Sequence, residues 1–94
     1  MPPLWRCAQT NSFAISDDVT IFTTAASNSG ARLPSGSSPG DVFVIANYDT
    51  NTMLIYPPST GILNGGSLNA SVSLATKKSA ICISIDGTNY LVNI

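Results

Sequence analysis

The stretch Val42-Phe43-Val44-Ile45-Ala46 is apolar at every position and follows a Pro39-Gly40 pair. A run of β-branched and aromatic residues beside a turn signal predicts an interior strand of a sheet, with both of its faces covered. Proline fixes φ and glycine accepts positive φ, so Pro39-Gly40 predicts the tight turn through which the chain enters this strand.

The rest of the chain shows the same pattern of short apolar runs separated by turn residues. In the run before the last turn, Ile81, Ile83 and Ile85 share one face, as alternation along a strand requires. Asp86-Gly87 predicts the hairpin turn that follows. No stretch of eleven residues keeps the helical period of 3.6, so we expect no helix. Further strands are predicted at 19–24, 53–56, 71–74, 79–85 and 88–93, with a short extended segment at 31–33.

The composition favours an all-β protein. Thirty of the 94 residues are serine, threonine or asparagine, which favour turns and strands over helix. With 44% apolar and only 10% charged residues, the composition is typical of a folded protein rather than a disordered one. We therefore expect a small antiparallel β-sandwich or barrel, jelly-roll-like, over residues 17–94, preceded by an extended N-terminal arm over residues 1–16.

The predicted arm has its own character, because it is stiffened by Pro2-Pro3 and contains the single tryptophan. Leu4, Trp5 and Phe13 are its large apolar side chains. Burying one such side chain contributes about 1.5–3 kcal/mol, so leaving all three in water is costly. A frayed terminus is the alternative, but we favour an arm that docks on a neighbouring subunit.

Few residues in the chain suit catalysis or metal binding. Histidine and glutamate are absent, which removes most general acid–base chemistry at neutral pH. Cys7 and Cys82 form no C-x-x-C pair and have no histidine to complete a zinc site, so we expect two buried thiols that pair only in an oxidising medium. Asp17-Asp18 predicts a turn before a strand rather than a calcium loop. We expect no enzymatic activity, no bound metal and no cofactor.

The charge pattern argues against nucleic acid and membrane partners. The formal net charge is -1, and the longest basic run is Lys77-Lys78, so the footprint of a nucleic-acid-binding protein is missing. No apolar run reaches the roughly 18 residues of a membrane-spanning helix. The N-terminus lacks the basic start and apolar middle of a secretory signal, so we expect synthesis in a reducing cytoplasm.

Three of the predicted strands, 42–46, 53–56 and 79–85, carry apolar residues on both faces. A small sandwich or barrel covers only one face of each sheet, so the second face needs a surface from another subunit or protein. We expect a subunit interface that includes Phe43, Ile45, Ile81 and Ile83.

An ordered series of short motifs runs from Val19 to the last strand: Val19-Thr20-Ile21, Ala31-Arg32-Leu33-Pro34, Gly40-Asp41-Val42-Phe43-Val44-Ile45-Ala46-Asn47, Ile55-Tyr56-Pro57, Ile62-Leu63-Asn64-Gly65 and Asn89-Tyr90-Leu91-Val92. This series resembles a small β-domain of virion proteins of tailed bacteriophages, which include head decoration (cement) proteins and fibre components. The predicted arm lies outside the resemblance.

The resemblance implies a structural virion protein, commonly a homotrimer, with no catalytic residues. We expect a capsid decoration protein made in the host cytoplasm and placed on the capsid surface, where it binds the major capsid protein through its arm. The alternative is a receptor- or carbohydrate-binding module of a tail fibre or adhesin, in which Tyr48, Tyr56 and the loop 59–69 would contact sugar.

Overall fold

The computed structural model describes residues 13–23 and 29–94, and these ranges contain strands and no helix. No helix that is long and apolar enough to cross a membrane is found among them. The strands are β1 (Phe13–Ala14), β2 (Val19–Phe22), β3 (Ser29–Arg32), β4 (Val42–Asn47), β5 (Met53–Tyr56), β6 (Val72–Leu74), β7 (Lys78–Ser84) and β8 (Tyr90–Asn93).

The strands form two four-stranded sheets that share one hydrophobic core. The first sheet has the order β1-β3-β5-β6 and the second the order β2-β4-β7-β8. The prediction of an all-β fold is confirmed, but the sheets are mixed rather than antiparallel, and neither closes into a barrel. The reason is that β1 to β5 alternate between the sheets, so each return to a sheet runs in the same direction as the strand it joins.

β4 lies inside the second sheet, between β2 and β7, as its apolar run predicts. Phe43, Ile45 and Asn47 are buried in the core, whereas Val42 is exposed and Val44 is half-buried on the opposite side. The domain therefore covers one side of β4 and leaves the other side open.

The antiparallel pair of β7 and β8 follows the predicted hairpin. Ala80 and Cys82 enter the core, and the predicted isoleucine face of β7 is its outer side, where Ile81 and Ile83 are exposed. Gly87 has a φ of 88°, and a Cβ at this position would lie 2.6 Å from the carbonyl oxygen of Ser37. Only glycine meets both conditions, which explains the Asp86-Gly87 turn.

The folded domain begins earlier than the predicted boundary between residues 16 and 17. β1 pairs in parallel with β3, and the amide of Ile15 donates to the carbonyl of Arg32 at 2.9 Å. The Ile15 side chain is 2% exposed and belongs to the core. Of the predicted arm anchors, Phe13 thus has its backbone in a strand of the domain, while Leu4 and Trp5 lie outside the described residues.

Two buried polar residues tie loops to the core. The amide nitrogen of the Asn47 side chain donates to the carbonyls of Asn51 at 2.8 Å and Leu74 at 3.0 Å, which links the second sheet to the first. The Tyr90 hydroxyl donates to the carbonyl of Pro34 at 2.6 Å and lies 2.6 Å from the Ser37 hydroxyl. Burial raises the pKa of the Tyr90 phenol.

Neighbouring residues of β4 should respond very differently to truncation. Phe43→Ala removes a buried ring and should lower the free energy of unfolding by about 3–5 kcal/mol. Val42→Ala, on the exposed side of the same strand, should lower it by less than about 1 kcal/mol in the dilute, unassociated chain. Urea unfolding followed by circular dichroism measures both values, and equal losses would contradict the inward placement of Phe43.

Candidate functional site, an exposed aliphatic face

The outer side of the second sheet carries mostly aliphatic side chains, with the polar Ser79 and Asn93 near the end at which β7 begins. The exposed fractions of the aliphatic side chains range from 56% at Val19 to 36% at Ile83, except that Val44 is half-buried between its neighbours. We call this surface the aliphatic face, and it consists of Val19, Ile21, Val42, Val44, Ile81, Ile83 and Leu91.

Strand pairing makes the aliphatic face continuous. Val44 lies between its partners Val19 on β2 and Ile81 on β7. Ile83 lies in the same way between Val42 on β4 and Leu91 on β8. Four strands about 4.8 Å apart, with about 3.3 Å per residue, give a patch of a few hundred Å². A patch of this size is about the largest that a typical monomeric protein exposes, and such patches are often functional.

The residues of β4 that lie on the aliphatic face differ from those predicted for a subunit interface. Phe43 and Ile45 were predicted to contact another subunit, but both lie in the core of their own domain, so that part of the prediction is wrong by one residue along the strand. Ile81 and Ile83 lie on the aliphatic face. The inner side chains of β4 are larger and fill the space between the sheets, which leaves Val42 and Val44 outside.

Charged residues lie at the two ends of the second sheet. We call the end at which β2 and β4 begin and β7 finishes the acidic end, and the opposite end, at which β7 begins, the lysine end. The lysine end has Lys77, Lys78 and one aspartate, Asp49. The acidic end has four of the five aspartates of the chain: Asp17, Asp18, Asp41 and Asp86.

Several of these charged groups stabilise local turns. The Asp86 carboxylate accepts hydrogen bonds from the amides of Asn89 and Thr88, each at 2.9 Å, and these bonds lower its pKa. Their contribution to stability is present above the ordinary carboxyl pKa and is lost as the pH falls through the lowered value. At the other end, the Lys77 ammonium lies 4.2 Å from the centre of the Tyr48 ring and donates to the Tyr48 carbonyl at 3.2 Å.

The residues expected to contact sugar in the alternative prediction do not come together. Tyr56 is buried. Tyr48 is 65% exposed, but Lys77 covers its ring, and it adjoins β2, the strand at one side of the second sheet. The loop 59–69 runs beside β8 at the other side, where Asn64 and Val92 exchange hydrogen bonds.

A separate cleft of about 390 Å³ opens where β1 and β3 end. Arg32 is the titratable side chain in its lining, and the other lining residues are small or apolar. The lining consists of Ala14, Ile15, Arg32, Leu33, Pro34, Ser35, Pro58 and Ser59.

The thiol of Cys82 is enclosed by the core. Burial raises its pKa from 9.0 to about 12, so the reactive thiolate is not formed near neutral pH. Cys7 lies outside the described residues, so its predicted burial is not described. No group of three or more histidine, cysteine or acidic residues that could hold a metal occurs within residues 13–23 and 29–94.

Comparisons of this chain with protein-family models, with curated proteins and with solved structures found no match.

The burial of Cys82 predicts a thiol that reacts only after unfolding. In a Cys7→Ser variant, Cys82 should react with a disulfide reagent at pH 8 at least about 100-fold more slowly in the native state than in denaturant. Because the pKa of Cys82 is higher in the folded state, its contribution to the free energy of unfolding should be fully present below about pH 9 and should be lost as the pH rises toward 12. Tyr90 adds to the same decline, so Cys82→Ala should remove only part of it. Fast native labelling would contradict this placement.

Proposed function

We propose that this chain is a structural protein of a virus particle, a capsid decoration protein that works by binding other proteins. The observation that carries the proposal is the aliphatic face. A continuous uncharged surface on a small domain is stabilised when another protein surface covers it. Assembly is therefore the role that this surface supports best.

The sequence resemblance to phage virion proteins supports the particle setting. On this proposal the chain is made in the host cytoplasm and lies on the capsid surface, with the major capsid protein as its partner. The resemblance also supports a homotrimer, in which the aliphatic faces of the copies lie against one another. Three copies on one particle site strengthen attachment, because each bound copy raises the effective concentration of the others.

Attachment to the capsid is assigned to residues 1–12, with Leu4 and Trp5 as the anchoring side chains. The described chain begins at β1, the outermost strand of the first sheet, whereas the aliphatic face belongs to the second sheet. Self-association and capsid attachment would then use different parts of the protein. Phe13, which was also predicted as an anchor of the arm, has its backbone in β1 and therefore belongs to the folded domain as well.

The carbohydrate-binding alternative has weaker support. It needs aromatic rings presented together, but Tyr56 is buried and the Tyr48 ring is covered by Lys77.

Mass spectrometry of purified heads separated from tails tests the two settings directly. The decoration protein should be found with heads, and recovery with tail fibres alone would overturn the proposal.

Substitution on the aliphatic face tests its part in assembly. The unmodified chain should sediment at the mass of three copies, and Ile81→Lys should shift it to the monomer because it places a charge in the centre of the contact. Leu68→Lys is the matched control, since Leu68 is 60% exposed but lies in the loop 59–69. Equal effects of the two substitutions, or a stable monomer of the unmodified chain at micromolar concentration, would contradict the role of the face.

Removal of residues 1–12 tests the arm without disturbing β1. The shortened chain should fold and self-associate as the full chain does, yet bind purified expanded heads at least about tenfold more weakly. Trp5→Ala should give an intermediate loss, because one large anchor is removed while Leu4 remains. Cosedimentation with heads measures both effects, and equal binding by the shortened and full chains would remove the arm from the mechanism.

A further inference from the structure

The only Asn-Gly pair of the sequence, Asn64-Gly65, forms a tight turn beside β8. The φ angles are 55° at Asn64 and 69° at Gly65, and the amide of Gly66 donates to the carbonyl of Leu63 at 2.9 Å. Two consecutive residues of positive φ, closed by such a bond, make a type I′ turn, for which Asn-Gly is a preferred pair.

The Asn64 side chain continues the pairing with β8 that this turn interrupts. Before the turn, the Tyr90 amide donates to the carbonyl of Ile62 at 3.0 Å, and the Tyr90 carbonyl accepts from the Asn64 amide at 2.9 Å, as in a parallel ladder. Two residues further along β8, the Asn64 side chain takes the place of a backbone. Its Oδ1 accepts from the Val92 amide at 2.8 Å, and its Nδ2 donates to the Val92 carbonyl at 3.2 Å.

The backbone amide of Gly65 is accessible to react. Gly65 is exposed, its amide makes no hydrogen bond with another described residue, and a Cβ at this position would meet nothing within 4 Å. The Asp86-Gly87 turn differs, because the buried Gly87 amide donates to the Ser84 hydroxyl at 3.0 Å. An unhindered amide next to an asparagine carboxamide is the arrangement from which a succinimide ring forms.

We propose that Asn64 is a site of spontaneous deamidation, and that its pair with Val92 sets the rate in the folded chain. Hydroxide removes the proton of the Gly65 amide, and the nitrogen attacks the side-chain carbonyl carbon of Asn64. A C–N bond forms, the bond from that carbon to Nδ2 breaks, and ammonia leaves with a proton from water, which restores the hydroxide. Water then opens the succinimide ring at either carbonyl and gives aspartate or isoaspartate.

The fold slows this reaction, because Nδ2 cannot leave and the carboxamide cannot rotate toward Gly65 until the bonds to Val92 open. The rate therefore follows the population of molecules in which this corner of the loop has opened. The aspartate product keeps an acceptor for the Val92 amide but has lost the donor, so its second oxygen faces the Val92 carbonyl, acceptor against acceptor. Deamidation thus loosens the loop 59–69 from the edge of β8.

Peptide mass spectrometry of the full chain after incubation at mildly alkaline pH tests the site. In guanidinium chloride, Asn64 should be the first of the eight asparagines to convert, and in the folded chain it should convert at least about tenfold more slowly. Asn69 is the internal comparison, because it lies in the same loop with a φ of 60° but precedes alanine. Equal rates for Asn64 in the two states would overturn the role of Val92.

Gly65→Ala tests the attack by the backbone amide, because the added methyl group hinders the approach of the nitrogen. In guanidinium chloride it should slow conversion of Asn64 to the rate of Asn69, which also precedes alanine. An unchanged rate in this variant, or conversion of Asn69 as fast as Asn64 in the unmodified chain, would overturn the assignment of the site.

Asn64→Asp reproduces the aspartate product and tests its effect on the loop. Hydrogen exchange of the Val92 amide, followed by NMR, should become at least about threefold faster. Asn69→Asp is the matched control, since it makes the same change of charge in the same loop and keeps the oxygen that accepts from the Thr60 amide at 2.7 Å. It should leave exchange at Val92 unchanged. Unchanged exchange in N64D, or equal acceleration by both substitutions, would overturn the loosening of the loop by deamidation.

Discussion

The space between the two sheets accepts only one side of β4, and the rest of the surface follows from that limit. Phe43, Ile45 and Asn47 occupy this space, where close packing leaves no room for more side chains. The strand is apolar on its other side too, so Val42 and Val44 meet solvent. A second layer of structure from the same chain would be needed to cover them, and the described residues supply none.

The mixed pairing of the strands determines where charges collect. β2 runs parallel to β4 because the chain visits the first sheet between them, so both strands begin at the same end of the second sheet. β7 runs in the opposite direction and finishes at that end. Aspartates that precede two strands and follow a third are thereby gathered, although they are far apart in the sequence. Lys77 and Lys78, by contrast, lie together because they are neighbours in the sequence.

Two asparagine side chains, one buried and one exposed, hold this arrangement in register. Asn47 satisfies carbonyl groups of Asn51 and Leu74, and thus connects β4 with the sheet on the other side of the core. The Asn64 side chain exchanges two hydrogen bonds with the backbone of Val92 and thereby occupies the edge of β8 that faces away from β7. The edge of β8 is therefore occupied by a loop of the same chain and is less open to the addition of a further strand.

Local pattern determined the strands of this protein. The apolar run at 42–46, the alternation at 79–85 and the Asp86-Gly87 turn correctly predicted β4, β7 and the hairpin, because strand and turn preferences act over a few residues. The all-β class followed from the same preferences. The sequence could not tell which side of an equally apolar strand faces inward, so Phe43 and Ile45 were placed at an interface. It also gave no sign that β1 pairs in parallel with β3 or that the aspartates share one end of a sheet. Those features depend on which strands become neighbours, and only the packing of the two sheets around one core decides that.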